Sequence, residues 1–86
     1  MEIEFLDKAL EDLEFWKKSG NKTIQARISK LLENMYQTPY SGIGKPEALK
    51  HELSGFWSRR INDEHRIVYT VTENRIKVIS LRFHYE

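Results

Sequence analysis

The spacing of apolar residues changes once along this chain, and that change limits the folds open to it. Up to Gln37 the apolar side chains recur every three or four residues, whereas beyond Glu47 they alternate or cluster in short β-branched and aromatic runs. Such a chain must lay helices against a sheet. From Asp7 onward, Ala9, Leu10, Leu13 and Trp16 share one helical stripe, with Asp7 placed to cap the start and Gly20 to end the helix. A second helix takes Asn21 as its N-cap and carries Ile24, Ile28, Leu31, Leu32, Met35 and Tyr36 until Pro39 stops it. Ser19-Gly20-Asn21 joins the two as an antiparallel hairpin. Thr38 to Glu47 holds both prolines and two of the 4 glycines, and reads as a loop. Three runs follow, Gly55–Ile61, His65–Thr72 and Arg75–Phe83, separated by turns at Asn62-Asp63-Glu64 and Glu73-Asn74. They predict a three-stranded meander, to which Glu2–Phe5 adds an edge strand. The expected fold is α+β: two N-terminal helices packed on one face of a small, mostly antiparallel sheet, as a single domain over residues 1–86.

Composition agrees with one packed domain. Hydrophobic residues are 40% of the chain and charged residues 31%, enough apolar material for a core and too much for a disordered polyelectrolyte. The absence of cysteine excludes disulfides, thiolate nucleophiles and thiolate metal sites. No apolar run is long enough to span a membrane, and Met1-Glu2-Ile3-Glu4 lacks the apolar core of a signal peptide, so a cytoplasmic location is expected. The net charge of +1 neither announces nor forbids a nucleic-acid partner. Its distribution says more: residues 45–86 carry more basic than acidic side chains and all 3 histidines, His51, His65 and His84. Strand parity turns Arg66, Ser80, Arg82 and His84 toward one face, away from the helices, in company with Val68, Ile76 and Val78. A free sheet face bearing Arg, His and Ser suits a phosphate ligand.

No histidine pair falls at metal-ligand spacing, and no carboxylate cluster complements the histidines. Gly42-Ile43-Gly44-Lys45 lacks the length and ending of a phosphate-binding loop, and Ser54, Ser58 and Ser80 stand in no nucleophile context. The informative stretch is Gly42-Ile43-Gly44-Lys45-Pro46-Glu47, then Lys50-His51, Leu53 to Ile61, Asp63 to Tyr69, and the ending Arg82-Phe83-His84-Tyr85. Over nearly the whole chain this resembles the YoeB/Txe toxins of the RelE superfamily, ribosome-dependent endoribonucleases paired with a YefM/Axe-type antitoxin. The resemblance implies a RelE-like, microbial RNase-type fold, no cofactor, and mRNA bound on the open sheet face in the A site of the 70S ribosome. It also implies contact with operator DNA only through the antitoxin, admits a homodimer, and involves no membrane. Glu86 departs from the pattern, in which the chain ends at His-Tyr.

RNA can be cut without a metal when the 2′-hydroxyl attacks its own phosphate, leaving a cyclic phosphate and a 5′-hydroxyl. That needs a base for the hydroxyl proton, an acid for the leaving oxygen, and cations for the phosphorane. By position, the resemblance places the base at Glu47, the acid at His84 and the main phosphate clamp at Arg66. Lys50, Arg60 and Tyr85 support them, and Lys45, Lys50, Arg59 and Arg60 are candidates for phosphate steering. Each has a bland rival: Glu47 as a solvated carboxylate, Arg66 as half of an ion pair with Glu64 or Glu52, His84 as a frayed terminal residue, and the lysines and arginines as an ordinary solvated face. Phe56 and Trp57 suit the core or a dimer contact better than base stacking. The competing function is a non-catalytic module that binds RNA or the antitoxin and serves operon autoregulation.

Overall fold

In the computed structural model, which describes residues 2–82, β1 (Glu2–Phe5) leads through Leu6 into α1 (Asp7–Ser19). Leu6, not Asp7, takes the N-cap position, and no side chain caps it. Asp7 instead sits in the first turn, where its charge favours the helix N-terminus. Gly20 ends α1 at φ 72°, a left-handed conformation that costs glycine nothing. Asn21 then caps α2 (Lys22–Gln37), its side chain accepting the Ile24 N–H at 3.1 Å.

The loop after α2 contains a two-residue strand, β2 (Glu47–Ala48), followed by a short 3-10 turn at His51–Leu53. The meander is β3 (Phe56–Arg60), β4 (Arg66–Thr72) and β5 (Arg75–Ser80), each shorter than the run that predicted it; Phe83 lies outside the described residues. Glu73 and Asn74 both take positive φ, 46° and 64°, the geometry of a tight hairpin that follows the sheet's twist. Sheet order is β1-β5-β4-β3-β2, with β1 parallel to β5 and every other pair antiparallel. β1 is thus an edge strand, as expected.

Ala9 and Trp16 of α1 and Ile24, Ile28, Leu31 and Met35 of α2 pack on Ile67, Tyr69, Ile76, Val78 and Leu81. Leu10 and Tyr36, expected in the helical stripes, are 53% and 50% exposed. The parity assignment also needs correcting. Tyr69 pairs with Val78 but Val68 with Ser80, so β5 carries one extra residue at a bulge. The bulge leaves Ile76 and Val78 on the helix side and turns Ser80 to the face of Val68 and Arg66. Arg82 does not join them, because its guanidinium lies 3.6 Å over the Phe15 ring of α1. His84, the other residue assigned to that face, lies outside the described residues.

At Gly44 the loop passes close against α2 and β3. It has φ +82°, and a Cβ there would stand 2.6 Å from Leu31 Cδ2. Gly44→Ala is therefore expected to cost about 2 kcal/mol, through strain and overpacking together, read as a lower urea midpoint. An unchanged midpoint would show that this approach is not fixed.

Candidate active site

Register brings the sequence-distant candidates together. Glu47 pairs with Ser58, Ser58 with Val68, and Val68 with Ser80, a row that crosses four strands on the face away from the helices. Paired residues of an antiparallel ladder point to the same face, so Glu47 shares this one with Ser58. Arg66 Nη1 donates to Ser58 Oγ at 3.1 Å, which sets the guanidinium beside the same pivot. Arg60 is the cross-strand partner of Arg66. Two cations opposed in register repel each other and lower sheet stability, a cost that a bound anion would relieve. Among the described residues no carboxylate pairs with Arg66, so the ion pair with Glu64 or Glu52 does not form. Ser80 Oγ, buried on this face, has no hydrogen-bond partner among those residues.

Lys45 and Lys50 are both exposed. The Arg60 N–H donates to Gly44 O at 2.7 Å, tying the loop to β3 just before Lys45, which takes φ 52°. Glu47 and Lys50 line an open hollow of about 790 Å³ together with His51 and Glu52. The structure thus gathers Glu47, Arg60 and Arg66 on one face and sets Lys45 and Lys50 on the adjoining loop. His84 and Tyr85 lie outside the described residues. Among the described residues, no three His, Asp or Glu side chains come together to hold a metal ion. His65 is buried on the helix side, its ring edge-on to Trp16.

Arg59 is a correction. Its side chain is 0% exposed on the opposite face, where it cannot steer a phosphate. Nε donates to Tyr69 Oη at 3.0 Å, Nη1 to Asn34 Oδ1 and Ile43 O, and Nη2 to Thr38 O and Ser41 O. Asn34 Oδ1 also accepts the Ile43 N–H at 3.1 Å, and Tyr69 Oη donates to Pro39 O at 2.7 Å. Burial pushes the Tyr69 phenol up despite the opposing Arg59 hydrogen bond and charge, so it keeps the proton it donates. Arg59 is the strut of the loop that delivers Glu47. Ser58 is the residue that sequence reasoning missed, since only its pairing with Glu47 and Val68 distinguishes it from the other serines.

The fold, a helix pair on one side of a small sheet, is shared by solved bacterial toxins. The YoeB/ParE toxin from Agrobacterium tumefaciens superposes with a TM-score of 0.94 at 41% identity, over 99% of this chain and 100% of that one. The toxin of a YoeB-YefM complex from Staphylococcus aureus matches at 0.87 and 45%, covering 96% and 95%. A YoeB dimer from the same organism matches at 0.88 and 43%, covering 99% and 98%. These likenesses, at 41–45% identity over nearly the whole chain, place it among the toxins of bacterial toxin-antitoxin systems. Toxin YoeB of Synechocystis is 45% identical over 86 residues, 100% of this chain and 99% of that relative. The family model of the YoeB-like toxin of bacterial type II toxin-antitoxin systems matches residues 5–85, and the chain belongs to that family.

Proposed function

We propose that this toxin is a metal-independent endoribonuclease that cuts mRNA in the ribosomal A site and so stops translation. The observation that carries the reading is the cross-strand row that sets Glu47 and Arg66 on either side of Ser58, with Arg60 opposite Arg66. Glu47 takes the proton from the 2′-hydroxyl, whose oxygen attacks the adjacent phosphorus. Arg66, with Arg60 and Lys50, stabilises the charge of the phosphorane. His84 gives a proton to the departing 5′-oxygen, leaving a 2′,3′-cyclic phosphate and a 5′-hydroxyl, with Tyr85 supporting the phosphate. The net charge of +1 suits an enzyme that takes much of its binding energy from the ribosome rather than from free RNA.

The partner is a YefM/Axe-type antitoxin, whose folding onto the cationic face would block access of RNA. The solved YoeB-YefM complex supports this pairing, and the solved YoeB dimer supports self-association. No helix among the described residues is long and apolar enough to cross a membrane, and the place of action is the cytoplasm, where ribosomes translate.

Induced expression in a bacterium is expected to arrest growth, with new mRNA 5′ ends on a translated transcript and none on an untranslated copy. Purified protein should cut ribosome-bound mRNA in the presence of chelator, at a concentration that leaves the ribosome intact. Cleavage independent of translation would overturn the ribosome dependence. Folded protein that binds the ribosome or antitoxin yet cuts nothing would favour a binding module.

A further inference from the structure

Phe56 and Trp57 are neighbours in sequence that point to opposite sides of the sheet. Trp57 pairs with Tyr69, packs against the helix-side core and meets the Tyr40 ring at 5.0 Å. Phe56 pairs with Thr70 and so faces the other way, onto the side of Ser58, Arg60 and Arg66. Its half-buried side chain takes no part in the helix-side core, and among the described residues its ring meets no other aromatic ring. The core expected for both aromatics therefore receives Trp57 alone.

On the outer face Phe56 stands two residues before Ser58 on the same strand, about 7 Å away, a gap that one nucleotide can bridge. Val68, 2% exposed and outside the helix-side core, is its diagonal neighbour. The row Phe56–Thr70–Lys77 runs beside the row of Ser58 and ends in a cation. Hydrogen bonds fix the backbone here on both sides: the Leu49 N–H donates to Phe56 O at 2.9 Å, and the Thr70 hydroxyl to Gly55 O at 2.8 Å. Nothing crowds the approach over Gly55, where an added Cβ would meet open space. Single-stranded RNA is commonly held on such a surface, its bases stacked on aromatic rings while cations follow the phosphates.

We propose that Phe56 is a substrate-binding residue, whose ring stacks on a base beside the scissile phosphate while Arg66 and Arg60 hold that phosphate. The proposal rests on the nuclease reading and adds to it the contact that seats the nucleotide. A ring carried on a fixed backbone loses little freedom when a base settles on it. The bland rival is a ring that only covers Val68.

The test is kcat/KM for cleavage of ribosome-bound mRNA in which the nucleotide on the 5′ or the 3′ side of the scissile phosphate is intact or lacks its base. Phe56→Leu keeps apolar cover over Val68 but offers no ring face, and is expected to cut intact mRNA about five- to a hundredfold less efficiently. Phe56→Tyr and Phe56→Trp keep the face and should cut at close to the parent rate. Removing the stacked base should slow the parent by a similar factor and slow Phe56→Leu hardly further, because ring and base are two halves of one contact. Phe56→Met gives comparable cover and stands in if Phe56→Leu does not fold. Losses that multiply at both positions would overturn the stacking role. Parent rates for Phe56→Leu, with weakened self-association or antitoxin binding, would also overturn it and give the ring to a protein partner. A parent protein that cuts none of these mRNAs would instead remove the nuclease reading, and the stacking role with it.

Discussion

Arg66→Ala is expected to lower single-turnover cleavage by about a hundredfold or more, because removing one preorganised donor to a developing oxyanion costs roughly 3 kcal/mol of transition-state stabilisation. The same substitution should leave folding stability unchanged or slightly raised, since Arg66 faces Arg60 across β3 and β4 and no carboxylate among the described residues pairs with it. That combination separates a lost catalytic group from a lost fold. Arg66→Lys keeps the charge but not the planar fork, and should recover only part of the rate. Ser58→Ala removes the hydroxyl that holds Arg66 Nη1 and should cost less than removing the guanidinium. Cleavage by Arg66→Ala at the parent rate would end the assignment of the phosphate clamp, whatever its stability.

The second large effect concerns Arg59. Arg59→Met should destabilise the protein by about 4 kcal/mol, a large part of the roughly 5–15 kcal/mol of an ordinary domain. Its five donor contacts go to Tyr69, Asn34 and the carbonyls of Thr38, Ser41 and Ile43. A hydrogen bond to a charged group contributes about 1.5–3 kcal/mol, but the contacts do not add, because Thr38 and Ser41 are exposed residues whose carbonyls can turn to water. Arg59→Lys should also fail badly, since one ammonium cannot reach acceptors spread around a fork. Urea unfolding followed by tryptophan fluorescence measures both. A loss below about 1 kcal/mol for Arg59→Met would show that the loop holds its place without the strut.

Arg59 also marks what the sequence could and could not disclose. Within Ser58-Arg59-Arg60 nothing local separates the two arginines, and both the phosphate-steering and the solvated readings put them in water. Their alternation across the sheet sends Arg60 to the cationic face and Arg59 inside, where Asn34 and the loop carbonyls wait from distant parts of the chain. The same limit hides Asp12, a polar residue within the α1 pattern whose burial depends on where Leu81 falls. The β5 bulge defeats parity, since a single extra residue exchanges the faces of everything beyond it. Apart from the N-cap of α1, which falls on Leu6 rather than Asp7, what is local reads correctly. Asn21 caps, Gly20 ends α1 and Asn74 accepts the positive φ of its turn, each because one residue type suits one backbone geometry. Glu47 and Arg66 are singled out in the sequence only by the family resemblance, and the register explains how residues so far apart in sequence come to share a face.

The parallel pairing of β1 with β5 bears on how such a protein is made. Glu2 meets Arg75 and Phe5 meets Val78, so a strand among the earliest to leave a ribosome waits for one of the latest. Helix α1 waits as well, because its principal packing surface is β5 and its Asp12 and Trp16 side chains hydrogen-bond the Leu81 backbone. Contacts of such long sequence separation form late and cooperatively. The row from Glu47 to Ser80 spans β2 to β5, so a nascent chain that has not yet released β5 holds no assembled site. Under the proposed activity, a nascent chain is therefore inert toward the translation that is building it until β5 has joined the sheet.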